Sequence, residues 1–373
     1  MQHFVDQFGD AIRTAAAHNA ALHIRGGGTK DFYGNYQGKG AGQVEMDFLE
    51  VAAYAGIVDY EPTELVVTAR SGTRLADLEA ELYTHGQMLA FEPPHFGSGA
   101  TLGGCIAAGL SGPRRASAGA ARDFVLGVRM LDGRGDDLKF GGQVMKNVAG
   151  YDVSRLMTGS MGTLGVLLEV SLKVLPTPPA ELTLRFEMEE AEAIRNMNAW
   201  AGKPLAISAT CFCNGELTVR LSGAEPAVNA ARRKLGGDEI VEPRAFWVSL
   251  REQTHPFFRG NNGDKESGGS EDLWRLSIKS TTSPLSLPGK QLIEWGGALR
   301  WLIADHQNAE AVRAAVRQAA RDAGGHATLF RSDSPRADVF QPLAPAMMTI
   351  TRRLKEKFDP KGIFNPGRMY PQI

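Results

Sequence analysis

At 373 residues, 43% of them hydrophobic, the chain can bury a large core spread over two or three domains. Its 41 basic and 42 acidic residues leave a formal charge of −1, and the basic ones are scattered, which argues against a nucleic-acid groove or an anionic membrane surface as partner. Three cysteines are too few for an ordinary iron–sulfur cluster, no apolar run reaches the ~18 residues of a membrane span and no signal peptide is recognisable, so a reducing, cytoplasmic setting is expected.

The spacing predicts a helix over 4–17, with Phe4, Phe8, Ile12 and Ala15 on one face. A short strand over 20–24 runs into Arg25-Gly-Gly-Gly-Thr29. A second strand, 65–69, turns at Ser71-Gly72 into a helix carrying Leu75, Leu78 and Leu82. Strands follow at 124–131 and 166–174. Pro176-Thr-Pro-Pro179 is the sharpest boundary in the chain. Beyond it the pattern predicts strands over 181–188, 216–222, 272–280 and 298–304, with helices over 189–201 and 308–323. Residues 260–271 read as a polar loop. A last helix, 344–358, has Met347, Ile350, Leu354 and Phe358 on one face and precedes the turn Phe364-Asn-Pro-Gly367.

Gly97 to Gly165 is the most informative stretch. About a quarter of it is glycine, yet apolar residues are threaded throughout, so it is ordered backbone rather than linker. Arg25-Gly-Gly-Gly-Thr29 follows a strand, and its successive amides can converge on a pyrophosphate; Arg25 adds a charged donor or braces the turn. Gly97-Ser-Gly-Ala-Thr-Leu-Gly-Gly104 is a second glycine loop. Leu102 stands where a nicotinamide Rossmann fingerprint needs its third glycine, and no convincing acidic residue closes a βαβ unit, so that fold is rejected. No Walker sequence, G-x-S-x-G elbow or H-E-x-x-H pair exists. Cys211-Phe-Cys213 has no second pair to complete a metal site and reads as strand thiols. Asp123, Asp132, Asp136 and Asp137 read as solvated turn residues rather than paired catalytic carboxylates. Two separated glycine loops suit a ligand with two ends, and flavin adenine dinucleotide (FAD) has that shape. Ser98, Thr101 and Ser111 are candidate hydroxyls for its phosphate or its flavin edge, or are turn residues.

Taken in order, Arg25–Thr29, Gly97–Gly104, Arg122-Asp-Phe-Val-Leu-Gly127, Lys146-Asn-Val-Ala-Gly-Tyr-Asp152, Gly159-Ser-Met-Gly-Thr-Leu-Gly165 and Phe364–Gly367 span nearly the whole chain. The set resembles the vanillyl-alcohol oxidase/p-cresol methylhydroxylase (PCMH) type of FAD-binding flavoproteins. Within it, the short length and the second and third blocks are most similar to the smaller FAD-binding subunits of bacterial glycolate oxidases.

That resemblance implies an α+β fold, with a two-part PCMH-type FAD-binding domain at 1–176, an inserted α+β cap at 177–335 and a C-terminal segment, 336–373, completing the FAD domain. It implies FAD-binding residues Arg25, Gly26, Gly27, Gly28 and Thr29 at the pyrophosphate. Ser98, Gly99, Ala100, Thr101, Gly103, Gly104, Ser111 and Gly112 would lie along the flavin and its ribityl arm, and Gly165 and Val166 would touch it through backbone. The first loop offers no histidine, so the FAD is expected to be non-covalent. The G-D-G-N-x-H metal motif of relatives that oxidise 2-hydroxy acids is not found, so no metal is expected; Ala118-Gly119 also replaces a common Tyr-Gly, and both departures suit a subunit whose partner has the main catalytic site.

The activity implied is oxidation of a small 2-hydroxy acid, glycolate, to glyoxylate, with a hydride passing to flavin N5 and electrons leaving through an iron–sulfur subunit. A larger FAD-binding subunit would be the second partner, and any membrane contact would be indirect. A carboxylate substrate calls for an arginine; Arg259, Arg275, Arg300 and Arg331 are candidates. Arg275, Arg300 and His326 are the candidate catalytic groups. A stand-alone 2-hydroxy-acid dehydrogenase and a non-catalytic assembly subunit are the alternatives.

Overall fold

The structure is a computed structural model that describes residues 1–35, 47–142, 151–259, 271–305, 309–332 and 338–373. Most of the loop expected at 260–271, and Lys146 to Gly150 of the fourth sequence block, lie outside the described residues.

Two antiparallel sheets organise the chain. The first has five strands, in the order Ile57–Glu61, Val66–Arg70, Val166–Lys173, Val125–Leu131 and Asp137–Gly141. Its strands alternate between two apolar layers. Leu167, Leu172 and Met130 join helices Leu75–Thr84 and Leu102–Ala108 in one, and Val166, Leu168 and Leu131 join the helix Gln2–His18 in the other. The N-terminal helix buries Val5, Phe8, Ile12 and Ala15, and Asn19 ends it in the left-handed conformation.

A parallel pair, Leu22–Arg25 with Asp47–Glu50, lies beside the second layer. The C-terminal tail extends it. Leu22 bridges Phe364 in parallel register, the Leu22 amide donates to Ile363 O at 2.7 Å, and the Asn365 amide donates to Leu22 O at 3.0 Å. Chain ends 341 residues apart therefore meet, with Phe364 fully buried between them.

The second sheet has eight strands among the described residues, all drawn from Ala180 to Arg331. One face, with Leu184, Phe212, Trp274 and Leu302, is covered by helices Glu190–Ala201, Glu225–Leu235 and Ala309–Asp322. The other face carries Cys211, Leu273, Leu299, Trp301 and Phe330, and packs on Tyr33, Ala108, Leu110 and Met161 from the N-terminal half. Alternation along each strand thus assigns one set of side chains to the helices and the other to the junction between the two halves.

Two expectations change. The helix Pro345–Phe358 forms, but Met347 and Ile350 on its apolar face are 51% and 50% exposed, while Lys355 is buried. Asp132 is not solvated: at 3% exposure it accepts from the Arg134 and Asp136 amides at 2.8 and 3.0 Å and organises its turn. Asp123 caps the Ala120 amide and Asp137 pairs with Arg129 at 2.7 Å.

Candidate FAD-binding cleft

The two glycine loops meet backbone to backbone. A methyl group on Gly27 would overlap the Gly99 carbonyl, and one on Gly26 would overlap Thr101 Oγ1. Gly28 has φ +70°, which glycine adopts without strain. Thr101 caps the helix Leu102–Ala108 through its hydroxyl, and the Leu102 and Gly103 amides donate to Thr73 O and Ser71 O at 2.8 and 2.7 Å. The second loop is thereby fastened to the end of strand Val66–Arg70, and it presents a helix N-terminus beside the first loop.

Together the loops line an open cleft of about 760 Å³. Gly26, Gly27, Gly28, Thr29, Thr101, Gly103, Gly104 and Gly165 all face it, as does Arg25. Arg25 braces the turn as well. Its Nε pairs with Asp31 at 2.9 Å and its guanidinium lies 5.5 Å from the Phe48 ring. The amides of Gly27, Gly28 and Thr29 have no hydrogen-bond partner among the described residues. Ser98 is exposed and its carbonyl accepts from Arg74 at 2.9 Å. Gly99 reaches the cleft only through its contact with Gly27. Ala100 and Val166 point into the core at 2% and 0% exposure.

The remaining lining escaped sequence reasoning. Lys30 is buried, donates to His95 O at 3.2 Å and lies 5.7 Å from the Phe96 ring; burial pushes its amine below the usual lysine range. Asn365 accepts from the Ile24 amide at 3.1 Å and donates to Met161 O at 2.8 Å, so it ties the first glycine loop's strand to the Gly159–Gly165 loop. Arg368 is buried and donates to Lys30 O and Tyr33 O at 3.2 and 3.1 Å. The signals were present: Lys30 directly follows Thr29, and Asn365 and Arg368 flank the Pro366-Gly367 turn.

Ser111 and Gly112 do not line this cleft. They line a second, smaller cavity together with Arg275. Arg300 is fully buried elsewhere, donating to Gly297 O and Thr282 O at 2.9 and 2.8 Å. His326 is exposed at the start of the edge strand His326–Arg331. Arg259 is exposed, and the Arg331 guanidinium lies over Phe32 at 4.2 Å. Among the described residues no group of three or more His, Cys, Asp or Glu side chains is arranged to hold a metal. No helix there is long and apolar enough to cross a membrane.

The cleft fits a dinucleotide. Unpaired amides, a helix N-terminus and the cations Lys30 and Arg368 suit a diphosphate, while Val51, Ala107, Ala108 and Leu167 offer apolar wall. The fold and cleft define an FAD-binding flavoprotein. The comparisons agree: a family model described as "FAD binding domain" matches residues 4–141. The chain is 46% identical over 364 residues to "Glycolate oxidase subunit GlcE" of Escherichia coli K12, covering 98% of this chain and 97% of that protein. It is 34% identical to "Glycolate oxidase subunit GlcD" of Bacillus subtilis, but over only 37% of this chain and 29% of that protein. Among solved structures, an alkyldihydroxyacetonephosphate synthase matches with TM-score 0.64 at 15% identity, over 96% of this chain and 73% of that one. A Phl p 4 variant described as a glucose oxidase matches with TM-score 0.61 at 16% identity, over 99% and 89%. The chain belongs to the PCMH-type FAD-binding flavoproteins, in the family of FAD-binding subunits that includes the Escherichia coli glycolate oxidase subunit.

Proposed function

We propose that this chain holds FAD non-covalently in a complex that oxidises glycolate to glyoxylate and passes the electrons to an iron–sulfur subunit. The observation that carries the reading is the near full-length identity to a glycolate oxidase subunit. A larger FAD-binding subunit is the second partner; the partial likeness to "Glycolate oxidase subunit GlcD" supports a second flavoprotein of related fold. Any contact with a membrane comes through these partners.

In this reading the amides of Gly26 to Thr29, with Thr101, Gly103 and Gly104, hold the diphosphate, and Gly165 and its neighbours bear on the flavin through backbone. Among the described residues no histidine or cysteine lines the cleft, which fits non-covalent attachment. FAD, when bound, supplies the hydride acceptor for a CH–OH group. The chain's own residues bind and orient it: Asn365 and Arg368 close the cleft from the C-terminal tail, and Lys30 sets a positive charge at its wall. The reading divides the chain at 1–176, 177–335 and 336–373; confinement of the eight-stranded sheet to Ala180–Arg331 and the pairing of Phe364 with Leu22 support it.

A stand-alone dehydrogenase is the second reading, favoured by 35% identity over 136 residues to a "D-lactate dehydrogenase" of Anaerostipes hadrus. Co-purification from the native cell decides between them. Recovery of the chain with flavin, an iron–sulfur protein and glycolate-dependent dye reduction supports the first. Full turnover of glycolate or lactate by the chain alone supports the second, and a chain free of flavin overturns both.

A further inference from the structure

The helix Pro345–Phe358 turns Lys355 and Phe358 toward the rest of the chain. Lys355 Nζ meets Thr163 O, Phe364 O and Asp359 Oδ2, and the Phe358 ring lies 6.2 Å from that of Phe140. The outer side of the helix is exposed. There Met347, Ile350, Arg353 and Lys357 follow one another at spacings of three or four residues, which sets them in one strip about 15 Å long. Arg352 and Lys361 are exposed beside it, and Pro345 and Ala346 extend its apolar end. Arg352, Arg353, Lys357 and Lys361 make no ion pair or side-chain hydrogen bond among the described residues, and Glu356 is the helix's only acidic residue. A helix face that meets only water gains from opposite charges four positions apart. Arg353 and Lys357, four apart, are like charges, which costs ~0.2–0.5 kcal/mol. Arg352 and Arg353 also lie too far from the helix C-terminus to gain from its dipole, which acts within the last turn. A chain of net charge −1 thus gathers four cations around a small apolar patch.

We propose that this strip is the centre of a docking surface for another protein subunit, one that sets an apolar contact on Met347 and Ile350 and carboxylates against Arg353, Lys357 and the cations beside them. The proposal rests on the reading of this chain as one subunit of a complex. Charge complementarity selects an acidic partner, and Met and Arg are side chains that the centres of protein interfaces favour. A helix that lies in a membrane surface buries a continuous apolar face. Here Phe358 is turned inward and only Met347 and Ile350 are presented, which favours a protein over lipid. The strip is fixed before anything docks on it, because the Lys355 bonds hold the helix to the Gly159–Gly165 loop and the C-terminal turn, so little conformational freedom is lost on association. Asn365 continues from that turn into the cleft, where it donates to Met161 O at 2.8 Å. A subunit docked on the strip therefore bears on backbone that shapes the cofactor cleft.

The complex is purified from the native cell through a tag on this chain, and flavin and iron are measured per chain. Ile350→Asp, and the double variant Arg353→Glu with Lys357→Glu, should each lower recovery of the partner subunits about tenfold or more. Thermal unfolding and flavin content of the isolated variants should stay as in the wild type. Arg233→Glu, a charge reversal on the exposed side of helix Glu225–Leu235, should leave recovery unchanged. Recovery of the wild type should fall with added salt. A carbodiimide, which joins an amine to a carboxylate as an amide, should link Lys357 to an Asp or Glu of a partner subunit, and Lys357→Arg should abolish that link while keeping recovery. Wild-type recovery in both Ile350→Asp and the double variant overturns the surface and leaves the functional reading standing. Binding of the isolated wild-type chain to vesicles containing phosphatidylglycerol, lost in the double variant, overturns it in favour of a membrane. A wild-type chain recovered with flavin but no partner overturns the complex and this surface together.

Discussion

Lys355 Nζ lies 2.7 Å from Asp359 Oδ2 and donates to Thr163 O and Phe364 O at 2.8 Å each. Asp359 in turn accepts from the Ile363 and Phe364 amides at 3.1 and 2.8 Å. A buried ion pair thus fastens the C-terminal turn to the Gly159–Gly165 loop, on either side of the Asn365 that lines the cleft. Removing one partner strands the other charge, so Lys355→Met should cost about 3–5 kcal/mol and lower flavin retention. Thermal unfolding and flavin absorbance after gel filtration measure the two effects. Unchanged stability would mean that the tail is held by its apolar contacts alone.

The contact between the glycine loops leaves no room for a side chain. Gly27→Ala should displace the Gly99 carbonyl, costing about 1–3 kcal/mol and much of the flavin content. Gly142→Ala, where an added methyl would meet nothing within 4 Å, should stay within about 0.5 kcal/mol of the wild type. Flavin-to-protein ratios for the two variants provide the comparison.

Glu92 joins the two halves of the molecule. It pairs with Arg220 at 2.9 Å and with Arg114 at 3.4 Å, and Arg114 reaches Glu181 at 2.8 Å. Arg220→Met should therefore destabilise by about 3–5 kcal/mol. Limited proteolysis should then cut between the halves before either is degraded. Degradation of both at one rate would show that the junction does not depend on this network.

Two carboxyls give the stability opposite slopes against pH. Burial works to raise Glu92, but the Arg220 and Arg114 guanidiniums prevail and hold it below the usual 4.5, so its contribution is present above that value and is lost as acid protonates it. Glu294, raised to about 7 by burial, binds a proton in the folded chain that the unfolded chain releases near 4.5. Its contribution is complete below 4.5 and is lost as pH rises through 7, about 3 kcal/mol in all. Denaturant titrations across this range should show stability falling between 4.5 and 7, and Glu294→Gln should reduce the fall.

Met347 and Ile350 contribute little to the fold, being half exposed. Replacing both by Lys should change the stability of the isolated chain by less than about 1 kcal/mol, measured by thermal unfolding. A larger loss would mean that the face is covered when the chain stands alone.

Periodicity placed the helices near 4–17, 189–201 and 308–323 and the strands near 65–69, 124–131, 166–174 and 216–222, because alternation and helical spacing are local properties of buried faces; it did not mark the strands Ile207–Cys213, Lys290–Glu294 and His326–Arg331 or the helices Glu225–Leu235 and Pro243–Arg251. The glycine loops were equally legible: Gly27 and Gly103 have no other physical reason to lack a side chain than close backbone approach. Tertiary structure alone decided which apolar faces are covered. Helix Pro345–Phe358 has the right spacing, yet Met347 and Ile350 stay half exposed, and Lys355 is buried because three acceptors, Thr163 O, Phe364 O and Asp359 Oδ2, converge on it. It also decided that Ser111, Gly112, Arg275, Gln253 and Glu294 line one cavity. These residues are separated by up to 183 positions, and no local pattern encodes a meeting across two sheets that only packing brings about.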